Sequence, residues 1–242
     1  MRVLKFTLSG RTAFFKKPEV NTYFYFTYGN IHKVAVLGMF GAILGYGGYS
    51  QMAKGDIYPE FYERLKNVKI SIVPRTEKGY IPKKVQRFNN SVGYASQEQG
   101  GNLIVKEQWL ENPEWDIYLL INDEESQKIS EAILGKCCTY SPYLGKNDHP
   151  ADIKEACLVS GAEIGKNVSG IDCLIPKDWV RLDLEDEEGE IEKPFKYEEY
   201  LPISLDPEMN LYELENFVFS NMAVTEVRCN VIHADGKRIV FY

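Results

Sequence analysis

The chain has 242 residues, with 44% hydrophobic and 26% charged residues and a formal net charge of −7. That length and balance suit one large or two small globular domains with a real core, which excludes a disordered or fibrous chain. The net charge hides a split, because residues 1–87 carry 15 Lys+Arg against 5 Asp+Glu and residues 88–242 carry 13 against 30.

Such asymmetry is expected where one surface meets phosphates and another faces solvent or protein. The acidic run Asp183 to Glu192 reads as a solvated loop. Five cysteines, odd in number and without a CxxC spacing, fit a reducing cytoplasm and give neither a metal site nor a cofactor site. The start MRVLKFTLSG lacks the apolar core of a signal peptide. The longest mostly apolar run, Val34 to Tyr46, is too short to cross a bilayer, so no membrane partner is expected.

In chain order, Leu4, Phe6 and Leu8 alternate with polar neighbours and predict a half-buried first strand. A loop rich in charge and aromatics, Arg11 to Asn30, leads into KVAVLGMFGAILGYGG, read as one short helix opening beside Lys33. Glycines 38, 41 and 45 fall on one face of that helix, and Val36, Phe40, Ile43 and Leu44 on the other. Each helical glycine costs about 1 kcal/mol against alanine. Something must therefore come close to the bare face, either a packed sheet or an extended polyanion, and the spacing leaves both open.

A short helix near Tyr58 to Lys66 precedes an alternating strand of Val68, Ile70 and Ile72. Two more strands are expected at 103–105 and 117–121. A helix from Glu124 to Leu134 follows, with Asp123 as N-cap and Gly135 at its end. A strand near Ala156 to Val159 completes the order strand, helix, strand, strand, helix, strand. That is the split βαβ, ferredoxin-like plan, also the scaffold of the RRM. The fold class is thus α+β. It has an RRM-like domain over residues 1–165 and a smaller β-rich C-terminal part over 166–242, with strands at Phe217 to Phe219 and Ala223 to Ile232. A closing hairpin turns through Asp235-Gly236.

Residues 76–101 interrupt this plan with four bases, two acids, and the rings of Tyr80, Phe88 and Tyr94. A connection this long inside a compact domain is functional or solvated and mobile. Interleaved bases and rings suit nucleic acid, since cations neutralise phosphates and rings stack on bases.

Catalytic constellations are sparse. His149, in GKNDHP, fits a turn, and His233 opens the final hairpin. His32 beside Lys33 lies where a helix N-terminus can hold phosphate. No P-loop, GxGxxG or RNP1 consensus occurs, so no catalytic residue is assigned.

The string FTLSGRTAFFKKPEVNTYFYFTYGNIHKVAVLGMFGAILGYGGY resembles the opening of the CRISPR-associated Cas-five family, most closely members from type I-B Cascade complexes. FNNSVGYASQEQGGNLIVKEQWLENP (88–113) and YSPYLGKNDHPADI (140–153) resemble later family segments. The resemblance implies an RRM-like domain in which 76–101 is a protruding thumb hairpin. It also implies a role holding the 5′ handle of the CRISPR RNA in an antiviral ribonucleoprotein, with the repeated backbone subunit and the large subunit as protein partners and target DNA reached through the complex. The implied handle contacts are Arg11, Lys16, Lys17, Asn21, Tyr28, His32, Lys33 and Gly38, with Tyr143, Gly145 and Lys146 in a later turn. Thumb residues Lys83, Lys84, Arg87 and Phe88 are expected to prop or kink the RNA. Guide pairing, not protein, would read the target. Some relatives are metal-independent endoribonucleases with a Tyr, Lys and His group, which makes precursor processing the alternative. Here Lys106 in VKEQWL has no adjacent histidine, which disfavours that role.

Overall fold

The computed structural model describes residues 1–19, 24–94, 97–183 and 193–242. Asn21 and most of the acidic run at 183–192 lie outside the described residues. The fold is mixed α+β and dominated by antiparallel sheet. In chain order the first elements are β1 (Arg2–Ser9), β2 (Thr12–Ala13), α1 (Lys33–Leu44), α2 (Glu60–Leu65) and β3 (Ile70–Pro74). Then come β4 (Lys83–Asn89), β5 (Ile104–Glu111), β6 (Glu114–Leu120), α3 (Glu124–Leu134) and β7 (Asp152–Gly165). The remainder is strand: β8 (Ile175–Pro176), β9 (Val180–Leu182), β10 (Lys196–Leu205), β11 (Tyr212–Ser220), β12 (Val224–Val227), β13 (Val231–Ala234) and β14 (Lys237–Ile239).

The central sheet runs β14-β13-β7-β1-β6-β3, every neighbouring pair antiparallel. Leu4, Phe6 and Leu8 are fully buried, and Phe6 meets Phe40 of α1 edge to face at 6.2 Å. The expected half-burial of β1 is corrected, because Val3 and Thr7 on its other face are buried as well. Distant segments cover that second face and the β3 edge. Leu174 N–H donates to Ile72 O at 2.8 Å, and Tyr242 and Ile70 exchange backbone bonds at 3.1 and 3.3 Å. The closing residues therefore lie against β3, although β13 and β14 join the opposite side of the sheet through β7.

Two further expectations shift. The single strand at 223–232 is β12 and β13, which pair with different partners, β9 and β7. Residues 76–101 contain strand β4, whose return strand β5 runs on to Glu111 and also pairs with β2. The α3 cap is as read: Asp123 accepts the Ser126 N–H at 2.7 Å.

Candidate nucleic-acid interface

Helix α1 starts where His32 turns extended (φ −120°, ψ 163°) and its Nδ1 accepts the Ala35 N–H at 3.2 Å. A nitrogen that accepts an N–H carries no proton, and complete burial holds the imidazole pKa down at about 3. The rings of Phe15, Tyr28 and Tyr212 enclose it at 5.9, 5.3 and 5.3 Å. His32 is thus a neutral cap. It can offer an Nε2–H but no charge.

The helix ends earlier than its glycines suggest. Gly45 stops it in a left-handed conformation (φ 81°), so the three glycines do not form one helical face. Gly41 packs on α2, where an added Cβ would sit 2.4 Å from Phe61 Cβ. That close approach is helix on helix. Gly38 is different, since its added Cβ would find nothing nearer than Phe61 Cε2 at 3.9 Å. It lies on the wall of a cleft of about 800 Å³.

The cleft is aromatic on its other sides. Phe14, Phe15, Tyr46, Tyr49, Tyr140, Tyr143 and Tyr212 line it, with Lys16 beside them and the small residues Ala35, Gly38 and Ala42 along α1. Gly145 completes the wall at φ 90°, where a Cβ would lie 1.9 Å from Phe14 O. Only glycine lets the turn at 143–150 close there, with Phe14 N–H donating to Leu144 O at 3.0 Å and Leu144 N–H to His149 O at 2.8 Å. Ring faces above a bare helix wall suit unstacked bases and their sugar-phosphate backbone.

The same turn is fastened to the β4–β5 hairpin. Lys146 Nζ contacts both Glu107 oxygens at 3.1 and 3.3 Å and lies 5.7 and 5.6 Å from the Phe14 and Phe88 ring centroids. His149 is fully buried, with Nδ1 at 2.6 Å from Thr12 Oγ1 and its ring edge-on to Trp109 at 4.6 Å. Burial, then the neighbouring Lys146 charge, lowers its pKa.

Strand alternation divides the four thumb residues between two faces. Lys84, Gln86 and Phe88 share the face of Glu107 and Trp109, toward the turn, and Lys84 pairs with Glu111 at 3.5 Å. Arg87 lies on the opposite face, directly across from Lys106, and neither makes an ion pair among the described residues. Exposed Val85 and Ile104 flank these two cations.

The remaining sequence-derived residues scatter. Lys17, with its ammonium 5.1 Å from the Tyr28 ring centroid, pairs with Glu199 at 3.3 Å, and Glu199 also accepts the Gly29 N–H. Lys83 lies near the same pair, its pKa lowered by burial. Tyr28 is 2% exposed and its hydroxyl has no partner among the described residues; burial raises its pKa strongly. Burial, with nearby Lys69, lowers Lys33 to about 8. Lys16 covers the Tyr25 ring at 4.2 Å, and Arg11 is exposed.

The structure therefore brings Lys16, His32, Gly38, Tyr143 and Gly145 to one cleft and Lys84, Phe88 and Lys146 to the adjoining seam. Tyr46, Tyr49 and Tyr140 were legible only as tyrosines near glycine or proline turns. Tyr212 comes from the C-terminal part and carries no local signal. Glu107 carries no local signal in VKEQWL either.

No family model matches this sequence, and no curated protein does. Solved structures do match in fold. A chain of a structure titled "CRISPR RNA-guided surveillance complex" aligns over 92% of this chain and 91% of its own, with a TM-score of 0.51 and 13% identity. A CRISPR protein from Archaeoglobus fulgidus aligns over 99% and 98%, with a TM-score of 0.52 and 12% identity. At such identity the likeness establishes a shared fold.

Proposed function

We propose that this chain is a non-catalytic, RNA-gripping subunit of a CRISPR effector complex, of the Cas-five kind in a type I Cascade. In this reading it holds the 5′ handle of the CRISPR RNA and meets the backbone and large subunits. The order β7-β1-β6-β3, with α1 and α3 as its crossovers, supports a ferredoxin-like, RRM-like core over residues 1–165. The β4–β5 hairpin is then the thumb, and residues 166–242 are the smaller β-rich part.

One observation carries the proposal: an aromatic cleft with a bare helix wall, continuous through Lys146 with a cationic hairpin, on a fold shared with a chain of an RNA-guided complex. In mechanism, the exposed rings of Tyr49, Tyr140 and Tyr143 stack splayed bases, Gly38 admits the sugar-phosphate backbone, and Lys16 and Lys146 offset phosphate charge. Arg87 and Lys106 receive the strand where it passes the thumb. Binding of this kind grips shape and backbone, leaving sequence to base pairing.

The clustering of Tyr28, His32 and Lys17 favours the alternative, a metal-independent endoribonuclease. Against it, His32 is 3% exposed and already caps α1, and burial keeps the Tyr28 hydroxyl protonated. General acid–base cleavage needs both groups within reach of a 2′-OH and a leaving oxygen. Incubating the chain with end-labelled single-stranded repeat RNA in EDTA separates the two readings. Retarded, intact RNA is the expected outcome; discrete cleavage products lost in His32→Ala would instead establish the nuclease.

A further inference from the structure

Glu107 is 5% exposed, and a carboxylate so buried is retained only if its charge is well partnered. Its partners are two. Trp109 Nε1 donates to one oxygen at 2.7 Å, which fixes the carboxylate on β5, and Lys146 Nζ approaches both oxygens from the facing turn. Its backbone is fixed as well: Tyr25 bridges to it, donating to Lys106 O and accepting from the Gln108 N–H, each at 2.9 Å. Three segments therefore meet at this residue, the 24–28 loop, the thumb strand and the 143–150 turn. Apolar side chains of similar volume often replace a buried ion pair at no loss of stability. What such a core could not do is hold an ammonium in one place. Here the Lys146 ammonium stands at the seam between the cleft wall and the thumb, beside Phe14 and Phe88.

We infer that Glu107 is a positioning residue for the RNA grip, holding Lys146 where the strand's backbone phosphate passes from the cleft to the thumb. The inference rests on the RNA-binding reading and adds a sign to it. Plain electrostatics says that deleting a carboxylate beside a bound polyanion tightens binding. Positioning says that it loosens binding, and only through Lys146.

The test is a double-mutant cycle on the full chain with a labelled oligouridylate, using wild type, Glu107→Gln, Lys146→Met and the double variant. Glu107→Gln keeps the volume and an acceptor for the Trp109 N–H. It is expected to weaken binding about tenfold, the scale of one charge-assisted contact. In the Lys146→Met background the same change should have no effect. Equal or tighter binding by Glu107→Gln, or an equal loss in both backgrounds, would overturn the inference while the RNA-binding reading stands. Failure of the wild-type chain to bind overturns both. If Glu107→Gln does not fold, Trp109→Phe removes the indole N–H that anchors the carboxylate, along with part of the ring that meets His149 and Lys84. It must then give the same Lys146-dependent loss, and its absence would equally overturn the inference.

Discussion

Single residues in this protein do work that their side-chain type does not announce. His32 looks like a phosphate ligand beside a lysine at a helix start, yet the fold uses it as a buried, neutral cap. Its folded pKa lies below the ordinary value, so the unfolded chain takes up its proton first. Stability from His32 is full above about pH 6.5 and is lost as pH falls toward 3. His32→Asn, which keeps a capping acceptor, is expected to flatten the melting temperature between pH 6.5 and 5, where the wild type loses up to about 1.4 kcal/mol per pH unit. Superimposable pH profiles would mean that the imidazole is already hydrated. Gly145 carries the opposite lesson, because its left-handed backbone was unreadable from YLGK alone. Gly145→Ala brings a Cβ to 1.9 Å from Phe14 O and should cost about 3 kcal/mol, seen as a large fall in melting temperature.

At the scale of elements, what was legible follows from local pattern. The α3 cap, the existence of β1 as a strand and the final Asp235-Gly236 hairpin all rest on residues a few positions apart. The glycine helix was half legible: its start and apolar face hold, but Gly45 ends it and Gly41 answers to Phe61, about twenty positions away. That difference predicts opposite signs for one substitution a turn apart. Gly38→Ala should raise stability by up to about 1 kcal/mol, because nothing lies within 3.4 Å of the new methyl. Gly41→Ala should lower it, because the methyl overlaps Phe61 Cβ. Thermal melts of the two variants decide the matter. The thumb gives a third case: Arg87 and Lys106 face each other across β4 and β5, an arrangement that costs stability in the absence of an anion. Lys106→Gln is therefore expected to stabilise the free chain by about 0.5 kcal/mol and to weaken binding of single-stranded RNA. A variant that binds as well as wild type would remove the outer thumb face from the interface.

For the whole molecule, the charge split proved a partial guide. Among the described residues, five of the fifteen bases at 1–87 pair with acids of later segments, as Lys17 does with Glu199 and Lys84 with Glu111. Such pairs cross up to 230 residues of chain, as Lys5 does to reach Asp235, and no window of sequence displays them. The same distance hides Tyr212 from any reading of the cleft and hides the C-terminal cover over β3. Among the described residues, Lys16 stands without an ion pair beside the cleft of rings, and the thumb hairpin bears Lys83, Arg87 and Lys106 without one. The grip proposed here is correspondingly more aromatic and less electrostatic than the charge count of residues 1–87 suggests.

Titrating the chain with single-stranded RNA over a salt series, and recovering the RNA afterwards, tests that grip most directly. The account predicts a log–log slope of only a few units, about −0.7 for each phosphate neutralised, with residual affinity from stacking at high salt and the RNA recovered whole. Absence of binding at low salt, or recovery of cut RNA, would contradict it.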